Sequence, residues 1–571
     1  MSKEQETKFA QEPSKQRKIS FFSAMLIVIG GSVGAGIFFK SGGVLGNAQS
    51  SLILAIISWI LASFAVIAMG IALIEIASVK NDNLSLIGWA KVFNGKIVAN
   101  ATKNFMVYVY LPLTYFFMPL YVFLPLQDGI GSLIDKDSFT FGTSADWLIW
   151  TIISLVMTVY FLVVPALWSK VGDVQNKIVT YIKFLPLAFV ALLGIILAII
   201  GKGGTADIHA GLDKAVTKTV AQGAQFKEIF GLGAGFGVFL SLTAIFFAYD
   251  GFYVAAGISS EMKEPKKTPL ALFLGLGITT IIYIVIAISM SINGGSFYGM
   301  LDFMKNAMGE KAGRIVFGIM NIMIAIGVLG IINGFSMWAP RYVEDLLAQG
   351  ELPFWKRVYK KLNPNKPVVG IVYSLVITIP VVIIFTLIGA LGYLPGADYT
   401  IYSNDAKQSM ARLYYFADLM SNWTALFTFG FITMSIFGAI RNKKTGKIKI
   451  NQEVKGFKFY AWTAVLMVSA ALLVTIAVPF IELFLLIGWS NQAVADTLKP
   501  AANPEANEVY LKQAQELFTN AIISRVLTVV TLLIYGALSF LPMPIENYVI
   551  KRKYGSLQRY ELEKARILST N

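Results

Sequence analysis

Cysteine is absent from this chain, and histidine occurs only once, as His209 in a polar stretch. The missing cysteine excludes disulfides and thiolate metal sites, and a lone histidine is not typical of a metal centre. Charged side chains are also scarce, at 14% of 571 residues, whereas 56% of the residues are hydrophobic. This composition is too apolar for a soluble protein and indicates a polytopic membrane protein.

The excess of basic residues does not indicate a nucleic-acid partner, although the net charge is +15 at pH 7. Lys and Arg are concentrated on alternate loops, which is the positive-inside pattern of membrane proteins. Basic runs such as Lys443-Lys444 and Lys551-Arg552-Lys553 are therefore interpreted as topology signals beside anionic lipid. The pattern predicts a multi-pass protein of the plasma membrane with both termini in the cytoplasm.

Apolar segments long enough to cross a bilayer as helices follow one another along the chain. We count twelve, near residues 21–39, 49–79, 104–130, 147–167, 178–200, 229–259, 268–293, 315–339, 367–393, 412–440, 459–489 and 520–545. They predict an all-α membrane protein with twelve transmembrane helices. The predicted parts are a disordered cytoplasmic tail (1–20), five helices (21–201), an external loop (202–228), five helices (229–440), a basic cytoplasmic loop (441–458), helices 11 and 12 (459–545) and a basic cytoplasmic tail (546–571).

Four glycines lie close together in the middle of the first apolar segment, at Gly30, Gly31, Gly34 and Gly36. Each costs a helix up to ~1 kcal/mol relative to alanine, so the run favours a break at bilayer depth. Unpaired backbone groups are tolerated there only where they line a cavity, with N–H groups facing an anion and C=O groups a cation. The alternative is close helix packing through the GxxxG pattern of Gly30 and Gly34.

The sixth segment contains a second predicted break site at Asp250-Gly251, deep in an otherwise apolar run. Segments 1 and 6 are the first helices of two successive five-helix halves. Interrupted segments at corresponding positions indicate the binding site of an inverted-repeat transporter, so the pair favours a site over simple packing.

Lys183 lies about one turn inside the fifth segment, where a lysine is costly. One interpretation is that its ammonium reaches the membrane interface along its own stem. The other is a buried cation that braces a neighbouring helix or exchanges a proton.

The motifs in segments 1 and 6 resemble those of the amino acid–polyamine–organocation (APC) permeases, nearest to the L-amino-acid transporter and bacterial exchanger branch. The resemblance rests on Gly31–Phe38 (GSVGAGIF), on Phe246–Phe252 (FFAYDGF), on the exit Glu261–Lys267 (EMKEPKK) and on Lys183 in IKFLPL. It implies a LeuT-type fold of two inverted five-helix repeats with broken helices 1 and 6, followed by helices 11 and 12.

The resemblance also implies how a substrate is held. Its carboxylate meets the N–H groups of Ala35 and Gly36, its amine meets the carbonyls of Ser32, Phe247 and Asp250, and Phe247 is the aromatic gate. If the Asp250 side chain faced the pocket, the substrate would be cationic. Lys183 argues against sodium coupling. The implied substrate-binding set is Ser32, Val33, Gly34, Ala35, Gly36, Phe247, Ala248 and Asp250.

These observations predict a secondary active amino-acid permease working by alternating access, by proton-coupled symport or by amino-acid exchange, without a cofactor or metal. Its partners are an amino acid, the lipid bilayer and, for symport, protons; the oligomeric state stays open. A polyamine or organic-cation carrier is the alternative within transport, and a membrane receptor or scaffold is the alternative outside it. An enzyme is disfavoured, because no nucleophile–base constellation, metal set or phosphate loop occurs in the sequence.

Overall fold

The computed structural model describes residues 20–80, 82–203, 233–253, 262–363, 366–393, 405–498 and 507–569. Within these ranges, ten helices are long and apolar enough to cross a membrane, and a bent helix pair passes the same test together. The predicted N-terminal tail up to residue 19, the loop that holds His209 and the exit from segment 6 at 254–261 lie outside the described residues.

The main helices account for every apolar segment predicted from the sequence. They are α1 Phe21–Ser32, α2 Gly36–Asn47, α3 Leu52–Val79, α4 Leu86–Phe93, α5 Lys96–Leu133, α6 Asp146–Leu167, α7 Ser169–Ile199, α8 Gly233–Ala248, α9 Thr268–Ser291, α10 Met300–Met308, α11 Glu310–Ala348, α12 Val368–Leu387, α13 Asp405–Thr445, α14 Phe457–Leu485, α15 Asn491–Leu498, α16 Asn507–Phe540, α17 Pro542–Tyr554 and α18 Leu557–Ser569.

Several helices run farther than their apolar segments, and α11 and α13 extend well into the cytoplasmic connections predicted after them. α11 continues through Pro340 to Ala348, and α13 enters the predicted loop at 441–458 before it ends at Thr445. The extension of α13 places Lys443 Nζ 3.1 Å from the buried carboxylate of Glu75, which also accepts the Val454 N–H at 2.8 Å. The hydropathy of the sequence predicts where a helix leaves the apolar part of the membrane. Polar contacts such as these determine the residue at which the helix itself ends.

The first apolar segment is bent by 61° between α1 and α2, and α8 stops at Ala248, in the middle of the sixth segment. A π-helical turn at Met106–Tyr110 interrupts α5 and ends two residues before Pro112. Such turns occur often at functional sites. All three irregularities lie at the site described below.

Burial separates central from peripheral helices. In the most apolar stretch of each helix, 89% of residues are buried for α5 and 83% for α13, against 28% for α14 and 22% for α16. The first two therefore lie inside the bundle. The helices of the last two predicted segments present most of their surface outward.

The predicted basic tail contains α17 and α18, which pack on the connection between α11 and α12. Trp355 Nε1 donates to Tyr560 Oη at 2.9 Å, and Lys356 Nζ donates to Glu563 Oε1 at 2.7 Å. Leu568, near the end of α18, is buried in the main apolar core. The tail is therefore part of the folded body.

Candidate functional site

The bend between α1 and α2 separates the backbone hydrogen-bond pair of Gly30 and Gly34. In a continuous helix the Gly34 N–H would donate to the Gly30 carbonyl, four residues earlier. Here the Gly34 N–H donates to the hydroxyl of Tyr283 at 3.1 Å, and the Gly30 carbonyl accepts from Lys183 Nζ at 2.6 Å. Tyr283 of α9 thus replaces the acceptor of this helical hydrogen bond, and Lys183 of α7 replaces its donor.

Lys183 therefore reaches the break in α1 from its position on α7. Its side chain also packs beside Gly327 of α11. The ammonium satisfies a carbonyl that the bend leaves without its helical partner, which is the contact expected of a lysine that braces helix 1. Its role in coupling stays a prediction.

Tyr283 connects the interruption in α1–α2 to the end of α8. Its hydroxyl lies 2.9 Å from the Ser32 carbonyl and 2.9 Å from the Ala248 carbonyl. The ring is fully buried, between Trp59 and Tyr249. One side chain of α9 therefore contacts backbone from both irregular segments.

The backbones of the two segments also touch directly. A Cβ atom built on Gly36 would lie 3.0 Å from the Cα of Ala248. Real Cβ atoms rarely approach another atom so closely, so Gly36 is needed for packing as well as for any approach of a ligand. The packing interpretation of the glycine run therefore applies at Gly36, and the binding interpretation stays a prediction.

Several polar groups at the bend have no protein partner among the described residues. No hydrogen bond there engages the N–H groups of Ala35 and Gly36, at the start of α2, and the hydroxyl of Ser32 is buried without a partner. Val33 is buried and its N–H closes the last turn of α1 on Ile29. The first turn of α2 thus offers free donors beside an unused hydroxyl, which suits an anion.

Phe247 is buried at the end of α8, with Phe117 and Tyr121 of α5 as ring neighbours. Its carbonyl accepts the Asp250 N–H at 3.1 Å and is used by a local turn. The carbonyl that faces the α1–α2 bend is that of Ala248. This detail differs from the carbonyl set that the family resemblance implies.

A buried cation lies directly against the Phe247 ring, and sequence reasoning missed it. Lys40 Nζ is 4.3 Å from the ring centroid and contacts Tyr121 Oη, Asp418 Oδ1 and Ser421 Oγ at 2.7, 2.6 and 2.7 Å. We call Lys40, Tyr121, Asp418 and Ser421 the Lys40 cluster. It ties α2 to α5 and α13. Lys40 follows the first apolar segment, so it is easily taken for an interface residue, and only the continuation of α2 to Asn47 puts it inside.

The Asp250 carboxylate faces α5. Oδ2 accepts from Tyr110 Oη at 3.0 Å, and Oδ1 accepts the Gly251 N–H at 3.0 Å. The Tyr110 hydroxyl lies 3.4 Å from that of Tyr253. Tyr110 belongs to the π-helical turn of α5, so this irregular turn presents its hydroxyl to the end of α8.

With this geometry in hand, comparison with known proteins identifies the family. The sequence profile of the amino acid permease family matches residues 19–495. The chain belongs to that family and therefore to the APC superfamily. It is a membrane transporter protein rather than an enzyme.

Three relatives show how widely the resemblance extends. An uncharacterized protein of Mycoplasma pneumoniae is 53% identical over 95% of this chain and 96% of its own length. The serine/threonine exchanger SteT of Bacillus subtilis is 24% identical over 60% of this chain and 71% of its own. The human large neutral amino acids transporter small subunit 2 is 23% identical over 66% of this chain and 67% of its own.

Proposed function

We propose that this chain is a secondary active amino-acid permease that works by alternating access, through proton-coupled symport or amino-acid exchange. The observation that carries the proposal is the separated Gly30–Gly34 pair, which keeps unwound backbone open between α1 and α2. The free N–H groups of Ala35 and Gly36 suit a carboxylate, and the carbonyls of Ser32 and Ala248 suit an ammonium. An amino acid carries both groups, and membership of the family supports the same substrate class.

We place this site within two inverted five-helix repeats, at 21–201 and 229–440, followed by two further helices at 459–545. Support comes from the irregular backbone in the first segment of each half, where transporters of this kind bind substrate. The distribution of Lys and Arg supports a plasma-membrane location with both termini in the cytoplasm.

In this mechanism Phe247 is the gate over the substrate, and the Lys40 cluster holds that gate shut. Lys40 contacts the ring and pairs with Asp418, so α2, α8 and α13 are tied together at this level. The site opens on this side only when Lys40 and Asp418 separate. In the other half of the cycle the pair stays closed, and substrate leaves through the opposite side.

Lys183 supplies the positive charge that the freed Gly30 carbonyl needs, so sodium is not required for transport. The names of two relatives, a serine/threonine exchanger and a large neutral amino acids transporter, support neutral amino acids as cargo and exchange as the mode.

A polyamine or organic-cation carrier is the second candidate, favoured by the Asp250 carboxylate at the end of α8. That carboxylate is already held by Tyr110 and by the Gly251 N–H, however. A cation without a carboxylate would also leave the Ala35 and Gly36 N–H groups unused.

Purified protein in liposomes tests the proposal with a panel of labelled amino acids and polyamines. We expect uptake of neutral amino acids that is accelerated by internal amino acid or by an inward proton gradient. Transport of polyamines without competition by amino acids would support the second candidate, and no uptake of either class would contradict both.

A further inference from the structure

The outward face of α17 takes no part in the proposed mechanism, yet it is apolar and exposed. Ile545, Tyr548 and Val549 are 59%, 67% and 54% exposed. Arg552, also exposed, follows on the next turn. Positions spaced i, i+3, i+4 and i+7 share one side of a helix, so the four side chains form a single stripe. We call Ile545, Tyr548 and Val549 the α17 stripe.

The opposite face of α17 is held by the folded body, which fixes the direction of the stripe. Glu546 Oε2 lies 3.9 Å from Lys103 Nζ of α5. At the other end of the helix, the Tyr554 hydroxyl accepts from Lys356 Nζ at 3.0 Å. These contacts turn the three apolar side chains of the stripe away from the protein. A contiguous exposed apolar surface of this kind indicates contact with a membrane or another apolar partner.

α17 begins where the last membrane-spanning helix ends. α16 stops at Phe540 and α17 starts at Pro542, with only Leu541 between them. Phe540 and Leu541 are 53% and 52% exposed, so the outward surface of α16 continues directly into the α17 stripe. The twelfth apolar segment of the sequence, 520–545, likewise runs into α17. The stripe therefore lies at the boundary of the bilayer that α16 crosses.

Three basic residues, Lys551, Arg552 and Lys553, border the stripe at the end of α17, and all three are exposed. No ion pair in the described part of the chain uses any of them, although the tail forms ion pairs elsewhere. Successive residues are about 100° apart around a helix, so Lys551 and Lys553 extend to either side of Arg552. An apolar face bordered by cations suits the interface of a membrane that contains anionic lipid.

We propose that the outward face of α17 is a binding surface for anionic phospholipid. The α17 stripe enters the boundary of the acyl chains, and the three basic residues bind the phosphate headgroups. The inference goes beyond a topology signal, because it assigns a lipid site to one face of a folded helix. It does not depend on what the protein transports. Through the contact of Glu546 with Lys103, bound lipid also holds α17 against α5.

The absence of cysteine from the chain allows a single fluorophore to be attached at one position. The full-length Val549→Cys protein is labelled and placed in liposomes of phosphatidylcholine that contain either brominated phosphatidylglycerol or brominated phosphatidylcholine. Bromine on an acyl chain quenches a fluorophore that it contacts. We expect both lipids to quench, with the anionic lipid favoured at least about threefold at equal mole fraction. A label on Gln558→Cys, an exposed polar position of α18, should be quenched by neither.

Charge removal tests the headgroup part of the site. Combining Lys551→Gln, Arg552→Gln and Lys553→Gln should abolish the preference for phosphatidylglycerol, while quenching itself persists because the stripe is intact. The matched control combines Lys444→Gln, Lys447→Gln and Lys449→Gln, which removes three exposed lysines around the end of α13 and should keep the preference.

Three results would overturn the proposal. A Val549 label that neither lipid quenches would show that the stripe is outside the membrane and available to a protein partner. Equal quenching of the native protein by both lipids would show that the surface does not select anionic lipid. Equal loss of the preference in both triple variants would show that the total charge of the protein, and not α17, attracts the lipid.

Discussion

Gly36 has room for a hydrogen atom and little more, because a Cβ would come within 3.0 Å of Ala248 Cα. We expect Gly36→Ala to push α2 away from α8 and to lower uptake at least about tenfold, since small displacements of binding groups are costly. Gly31→Ala is the control, as nothing lies within 4 Å of its added Cβ. Uptake assays on both variants at equal protein content check this. Equal activity of the two would show that the close approach is dispensable.

Lys183 donates to a carbonyl that has lost its helical partner. We expect Lys183→Met to reduce uptake at least about tenfold, because an unsatisfied buried carbonyl costs about 1–3 kcal/mol. The exposed Lys177 lies on the same helix, and Lys177→Met should leave uptake near the native rate. The measurement is initial uptake by each variant in liposomes.

The same residue predicts independence from sodium. Replacing sodium by choline should change native uptake less than about twofold, since the ammonium already satisfies the Gly30 carbonyl. A strict sodium requirement in the native protein would refute this role. Accumulation driven by a pH gradient in the native protein, but not in Lys183→Met, would favour the proton-exchanging role of the lysine.

At the scale of the elements, the Lys40 cluster fastens α2 to α13 through an ion pair whose lysine is buried. Removing one partner of such a pair leaves the other charge uncompensated, whereas removing both is far less destabilising. We expect Asp418→Asn to lower the thermal midpoint and uptake, because it leaves the buried Lys40 ammonium without its counter-charge. The double variant with Lys40→Met should regain much of the midpoint while uptake stays low.

Thermal unfolding in detergent, paired with liposome uptake, measures both effects. Lys458→Met, at an exposed position on the first turn of α14, controls for the loss of a lysine. A double variant as unstable as Asp418→Asn would show that the charges do not compensate each other in the folded protein.

The interruption between α1 and α2 was predictable from its glycines, because helix propensity is a local property. Lys183 was also noticeable, because a lysine inside an apolar segment is costly, but Tyr283 and the Lys40 cluster were not predictable. Tyr283 is separated from Gly34 by 249 residues, and Lys40 from Asp418 by 378. Ordinary tyrosines and lysines at such separations carry no local signal, so their convergence follows only from how the helices pack.

For the whole molecule, the C-terminal helices act as part of the fold. Leu568 is 9% exposed and packs in the core, whereas Leu562 on the same helix is 72% exposed. We expect Leu568→Ala to destabilise the protein by about 2 kcal/mol and Leu562→Ala to have almost no effect. Thermal unfolding checks the difference. Both variants should keep native uptake, since α18 contributes no residue to the site; equal midpoints would show that the tail is not anchored there.

The separated Gly30–Gly34 pair has a consequence for biosynthesis. Lys183 and Tyr283 belong to α7 and α9, which are synthesised after the first segment has entered the membrane. Until they arrive, the freed N–H and C=O have only each other as partners in lipid. We therefore expect residues 20–48 to insert as one continuous helix that opens only during assembly. A synthetic peptide of this range in lipid bicelles should show an unbroken helix by NMR.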